Sequence, residues 1–129
     1  MTDTSRKTVL IVEDNDKNMK LARDILDAKG FRTLAATNGQ EGVNVALAQL
    51  PDLILMDIDL PGIDGVEAFR QLRADPRTAA IPVAAFTASV TAGDRSRVTQ
   101  AGFTAFVSKP INLKEFIATI TSLTKEPQP

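Results

Sequence analysis

The 129-residue chain contains no cysteine and no histidine. Without cysteine it has no disulfides and no thiolate metal sites, which suits a reducing compartment. Without histidine it has no His-based catalytic triad, no typical zinc site and no phosphohistidine of its own. The formal net charge of −1 at pH 7 leaves no basic field of the kind nucleic-acid binders use, so direct DNA binding is not expected. Long apolar runs are missing too. Thr8 to Val12 is shorter than the roughly 7–15 residues of a signal-peptide core, and no segment approaches a membrane span, so a cytoplasmic location is expected. What remains is ordinary for a globular protein: 43% hydrophobic and 24% charged residues, in a length that makes one domain over 1–129 with its core from about 8 to 124.

Two short runs, Val9-Leu10-Ile11-Val12 and Leu53-Ile54-Leu55-Met56, are continuously apolar and read as strands buried on both faces. Both stop abruptly on acid, the first at Glu13-Asp14-Asn15-Asp16 and the second at Asp57, which is followed by Asp59 and the Pro61-Gly62 turn. Phe31 to Ala36, Pro82 to Phe86 and Phe103 to Val107 supply three further strands.

Between them lie five helical patterns. Met19, Ala22, Ile25 and Leu26 form the apolar stripe of the first, which Gly30 stops. Asn38 and Glu41 cap the second, with Val43, Ala46, Leu47 and Leu50 inward. Asp64 and Glu67 cap a third, burying Val66, Phe69 and Leu72, and Arg73 to Ile81 reads as a loop. The fourth, Ala92 to Gln100, has only Val98 and Ala101 as anchors, which marks it as a candidate for mobility. Asn112 and Glu115 cap the last, with Leu113, Phe116, Ile117, Ile120 and Leu123 inward.

Five alternations of strand and helix predict an α/β fold, a doubly wound five-stranded parallel sheet with five helices. The expected strand order is 2-1-3-4-5, as in flavodoxin. Strands one and three then lie side by side, and Glu13, Asp14 and Asp57 converge at the carboxyl edge of the sheet.

Three close carboxylates repel one another unless a cation sits among them, and a hard oxygen-seeking ion such as Mg²⁺ is the natural partner. An acidic cluster alone reads equally as a solvated rim. The ends of strands four and five add the hydroxyl of Thr87 and the ammonium of Lys109. Donor, cation and Mg²⁺ suit the oxygens of a phosphoryl group moving in line to Asp57. A cis peptide at Lys109-Pro110 would turn the lysine inward, although cis is the minority state for X-Pro bonds.

From Val9 to Leu123 the chain resembles the response regulator receiver domains of two-component signalling, of which CheY is an example. The motifs are the acidic pair Glu13 and Asp14, Asp57 within Leu-Met-Asp-Ile-Asp-Leu-Pro-Gly, Thr87 followed by Ala88, and Lys109-Pro110. The resemblance implies that Asp57 is the phosphoacceptor and that Thr87 and Lys109 assist it. Mg²⁺ or Mn²⁺ would be held by Asp14, Asp57 and the backbone carbonyl of Asp59, with Glu13 acting through water. It also implies that the chain catalyses only its own phosphorylation and dephosphorylation. The switch pair falls on Thr87 and Phe106; Phe106 reads equally as an ordinary core residue. Asp59 is expected to influence the lifetime of the phosphorylated form, in a direction the residues leave open.

The implied partners are a sensor histidine kinase or histidine phosphotransfer protein and a downstream signalling protein, with the chain a monomer or weak dimer. The tract from Val12 to Leu21 is similar to the stand-alone DivK type. Three alternatives stand beside this reading. A receiver excised from a hybrid kinase or larger regulator fits the same residues. A phosphohydrolase of the haloacid dehalogenase type shares the Asp57-Ile58-Asp59 pattern, but lacks room for a cap. A flavodoxin-like cofactor carrier fits the fold, but Glu13 to Asp16 would repel its phosphate.

Overall fold

A computed structural model describes residues 7–58, 65–87 and 92–124. The Pro61-Gly62 turn and the expected cap Asp64 lie outside the described residues, as do Asp59, Ala88 and Ser89. In chain order the elements are β1 (Thr8–Val12), α1 (Asp16–Ala28), β2 (Arg32–Ala36), α2 (Gly39–Gln49), β3 (Leu53–Asp57), α3 (Gly65–Ala74), β4 (Val83–Thr87), α4 (Ala92–Ala101), β5 (Ala105–Ser108) and α5 (Leu113–Thr124). The five strands form one parallel sheet in the order β2-β1-β3-β4-β5.

Continuous apolar strands follow from a sheet covered on both sides, and side-chain alternation divides each strand between two cores. Leu10, Val12, Ile54, Met56, Val83 and Ala85 meet Val43 and Ala46 of α2, Ala68, Phe69 and Leu72 of α3, and Val98 of α4. Val9, Ile11, Leu53, Leu55, Ala84, Phe86 and Val107 meet Ala22 and Leu26 of α1 and Phe116 and Ile120 of α5. β3 and β4 are buried along their whole length, so the sheet centre is dry and its carboxyl edge is where polar groups emerge.

The helices start where their side chains can take orphan amides. Asn15 Oδ1 accepts from the Asn18 amide at 3.0 Å, Asn38 Oδ1 from Glu41 at 2.8 Å, and Asn112 Oδ1 from Glu115 at 3.0 Å. In α2 the box closes one residue further out than expected. The Glu41 carboxylate accepts from the Thr37 amide at 2.6 Å and from the Thr37 hydroxyl at 3.2 Å. Gly30 and Gly102 follow α1 and α4 at φ of +90° and +104°, a conformation that ends a helix without a Cβ penalty.

Three expectations are corrected. Leu50 is not part of the α2 stripe: it is the left-handed cap, at φ 49° and ψ 63°, with its amide on the Ala46 carbonyl and its side chain 52% exposed. Leu113, in the first turn of α5, is 55% exposed rather than inward. Arg73 belongs to α3, where its guanidinium reaches across the following loop to the Ile81 carbonyl at 2.7 Å. That loop is anchored by Thr78, a fully buried residue whose hydroxyl donates to the Leu72 carbonyl at 2.6 Å.

Gly65, the first residue of α3, sits directly on the end of β3. A Cβ there would collide with the Asp57 carbonyl oxygen and lie 2.6 Å from Ile58 Cα. Both obstacles are backbone, so α3 would have to move away from the strand that carries Asp57. Gly65→Ala is expected to lower stability by about 1–3 kcal/mol, typical of overpacking, as read by the urea midpoint. Leu50→Gly is expected to raise stability by about 0.5–1 kcal/mol, because a side-chain-bearing residue in the left-handed region is strained. A loss in that variant would mean that the half-covered leucine side chain outweighs its backbone.

Candidate functional site

The site is built from residues that follow or end four apolar strands. Glu13 follows β1, and its amide donates to the Ala36 carbonyl at 2.9 Å, continuing the β1–β2 pairing past the strand end. Asp57 is the last residue of β3 and pairs in register with Phe86 of β4. Thr87 ends β4 opposite Ser108, and its carbonyl accepts the Lys109 amide at 2.9 Å. The Lys109-Pro110 peptide is cis.

Alternation sends Glu13 to the same side as Val9 and Ile11, Asp57 to the side of Leu53 and Leu55, and Lys109 to the side of Val107, all toward α1 and α5. Carboxylate oxygens of Glu13, Asp14 and Asp57 lie within 4.8 Å of one another. Glu13 and Asp57 are 1% and 2% exposed, whereas Asp14 faces solvent. The Lys109 ammonium bridges the two buried acids, donating to Asp57 Oδ2 at 2.9 Å and lying 2.7 Å from Glu13 Oε1.

Burial pushes the Glu13 carboxyl above its ordinary pKa, and the negative charge of Asp57 pushes the same way. The Lys109 ammonium and the Asn15 amide, 3.0 Å from Oε2, oppose without cancelling it. Burial alone would lower the Lys109 pKa, but the hydrogen bonds and charges of Asp57 and Glu13 outweigh it and the ammonium is held above its usual value. Lys109 is therefore a fixed cation at neutral pH.

These residues fit a hard divalent cation. Three carboxylates against one ammonium leave two formal negative charges, with the ammonium 2.7 Å from Glu13 Oε1 and 2.9 Å from Asp57 Oδ2. Exposed Asp14 and buried Asp57 both offer carboxylate oxygens, the donor type that magnesium prefers. The expected carbonyl of Asp59 lies outside the described residues.

The structure brings Glu13, Asp14, Asp57 and Lys109 together. Thr87, 4% exposed, abuts them through the backbone. By alternation it shares the opposite face with Val83 and Ala85, where Phe106 is half-buried against the core under α2, α3 and α4. Three contributors escape the sequence reading. Asn15 supplies its amide to Glu13, Gly65 admits α3 against Asp57, and the Phe86 ring lies under the Lys109 ammonium, 4.7 Å from Nζ to centroid. Gly65 alone had a visible signal, a glycine at the start of a helical pattern.

Among the described residues no helix is long and apolar enough to cross a membrane. The family profile of the response regulator receiver domain matches residues 9–121. The polar-differentiation response regulator DivK of Brucella anthropi is 47% identical over 116 residues, covering 90% of this chain and 94% of that protein. Two solved structures share the architecture. The receiver domain of a sensor histidine kinase from Pseudomonas aeruginosa, with a magnesium ion coordinated in its active-site cleft, superposes with a TM-score of 0.87 at 32% identity, covering 95% of this chain and all of that one. A response regulator from Desulfuromonas acetoxidans gives 0.83 at 29% identity, covering 92% and 97%. A receiver-domain profile that spans residues 9–121 and 47% identity across nearly the whole of a response regulator, on a sheet of order 2-1-3-4-5 with acids gathered at its switch point, show that the chain belongs to the response regulator receiver domain family.

Proposed function

We propose that the chain is a DivK-like response regulator that accepts a phosphoryl group on Asp57 and changes its protein contacts in response. The observation that carries this reading is the Lys109 ammonium held between Asp57 and Glu13 beside Asp14, a nucleophilic carboxylate set among the charges a phosphoryl group needs. Identity of 47% across 94% of a DivK protein supports the DivK-like reading. The likeness to a sensor kinase's receiver supports the alternative, a receiver belonging to a hybrid kinase.

In the reaction, an Asp57 oxygen attacks the phosphorus of a partner's phosphohistidine. The nitrogen–phosphorus bond breaks as the oxygen–phosphorus bond forms, and its electron pair returns to the imidazole, which is then free to take a proton from water. Lys109 stabilises the negative oxygens from the α5 side, and Thr87 donates its hydroxyl to one of them. A magnesium or manganese ion, held by Asp14, Asp57 and the Asp59 carbonyl with Glu13 acting through water, would neutralise charge on the same oxygens. Thr87 and Phe106 share a face, so drawing Thr87 toward the phosphoryl group opens space along β4 and β5 for the Phe106 ring. That shift biases an existing equilibrium in the surface around α4. The donors are a histidine kinase or phosphotransfer protein in the cytoplasm, and the readers are downstream signalling proteins. Turnover is limited to the chain's own acyl phosphate.

Incubation with Mg²⁺ and acetyl phosphate, followed by intact mass, is expected to show one phosphate gained in the wild type and none in Asp57→Asn. No gain in the wild type, or an equal gain in the variant, would sink the reading. The raised Glu13 pKa gives a second expectation for metal-free protein. A folded-state pKa above the unfolded one favours folding below the ordinary value of 4.5 and loses that contribution as pH rises through the folded value. The stability of wild type relative to Glu13→Gln, measured by urea unfolding in chelator, should therefore be greatest near pH 4 and decline toward pH 7. A difference that grows with pH would contradict the burial argument.

A further inference from the structure

Lys109 starts beyond β5 and its ammonium ends at carboxylates of β3 and the end of β1, so the side chain must cross β4. Neighbouring strands are about 4.8 Å apart, so the lysine stem spans most of the roughly 10 Å from β5 to β3 and the Asp57 side chain covers the rest. The residue under the crossing is Phe86. It is fully buried, faces α1 and α5, and sits in register between Asp57 on β3 and Val107 on β5. Its ring centroid is 4.7 Å from Lys109 Nζ.

We propose that Phe86 is a positioning residue for Lys109: the face of its ring holds the ammonium over β4, and this hold sets the rate of phosphoryl transfer to Asp57. The inference rests on the reading of Asp57 as acceptor and adds a residue that this reading does not require. Two carboxylates draw the ammonium toward β1 and β3, and the ring attracts it from the β4 side. The Lys109 side chain is 15% exposed, and it is for such desolvated cations that attraction to a ring face is largest. An aliphatic residue of similar volume would fill the space and keep the core, but would exert no pull on a cation. Held from below, the ammonium passes from carboxylate to phosphoryl oxygen by a small movement, without first being recovered from Glu13.

The test replaces Phe86 in the full chain with 3,5-difluoro- and 3,4,5-trifluorophenylalanine, which keep the ring's shape and drain the negative charge of its face. Phe86→Leu is compared alongside. The rate constant for acetyl phosphate labelling is expected to fall stepwise with fluorine number, by about 3- to 10-fold at three fluorines. The NMR order parameter of the Lys109 ammonium nitrogen is expected to fall in the same sequence, while urea midpoints of the fluorinated chains stay close to wild type. Rates and order parameters independent of fluorine number overturn the proposal, and so does a Phe86→Leu chain that folds and keeps both. The two readings fail separately. Labelling at one rate in all chains removes the role of Phe86 and leaves Asp57 as acceptor. A wild type that takes no label removes the acceptor, and with it the rate that Phe86 is proposed to set.

Discussion

Two buried carboxylates share one ammonium, and the rest of the carboxyl edge is arranged around that fact. Glu13 and Asp57 are almost completely excluded from water and lie within 4.8 Å of each other, where two like charges repel by roughly 3–4 kcal/mol at an effective dielectric of about 20. The Lys109 contacts offset that repulsion and part of the desolvation, but not all of it, since Glu13 still titrates above its ordinary value. A buried ion pair of this kind is weak evidence for stability. Its consequence is chemical: a site that remains electron-rich after its own lysine has been counted attracts a second cation, and with Asp14 exposed a hydrated divalent ion suits it better than another side chain.

The pleat of the sheet separates the work of the site between its faces. Glu13, Asp57, Phe86 and Lys109 fall on the side of α1 and α5, while Thr87 and Phe106 fall on the side that packs under α2, α3 and α4. A group arriving at Asp57, as the proposed reaction requires, would meet Lys109 on one face and would lie beside Thr87 at the strand end, whose side chain belongs to the other. On the Thr87 side the anchoring is thin. Among the described side chains of α4, Val98 is fully buried and Ala101 only partly, so little apolar area opposes a displacement of that helix. By contrast α3 is fixed tightly, because Gly65 rests on the backbone of Asp57 and Ile58 with no space for a methyl group.

Most of this architecture is legible in the sequence, for reasons that can be named. Runs such as Leu53 to Met56 can be buried on both sides only within a covered parallel sheet, and the alternation with helical patterns then restricts the strand order to a few choices. Asn38 and Asn112 announce helix starts because their side chains bond amides that nothing else would take. The errors cluster at helix ends. Leu50 and Leu113 continue an apolar period correctly, yet one is the left-handed residue that closes α2 and the other lies in an opening turn that overhangs the core edge. Periodicity describes an ideal helix and is silent about where the partner surface stops.

The site divides along the same line. Glu13, Asp14, Asp57 and Lys109 are visible because charge at the end of an apolar strand has no packing explanation. Phe86 is invisible for the opposite reason: a phenylalanine in a buried strand has an ample packing explanation, and nothing in its neighbours Ala85 and Thr87 suggests another. Its place under the lysine depends on three registers holding at once, Asp57 with Phe86, Phe86 with Val107, and the turn from Ser108 into Lys109. A slip of one residue in β4 would exchange Phe86 for Ala85 or Thr87 and send the ring to the α3 side. Sequence order fixes which strands are adjacent more readily than how far each has slid along its neighbour, so residues whose role is carried by cross-strand contact stay hidden until coordinates supply the register.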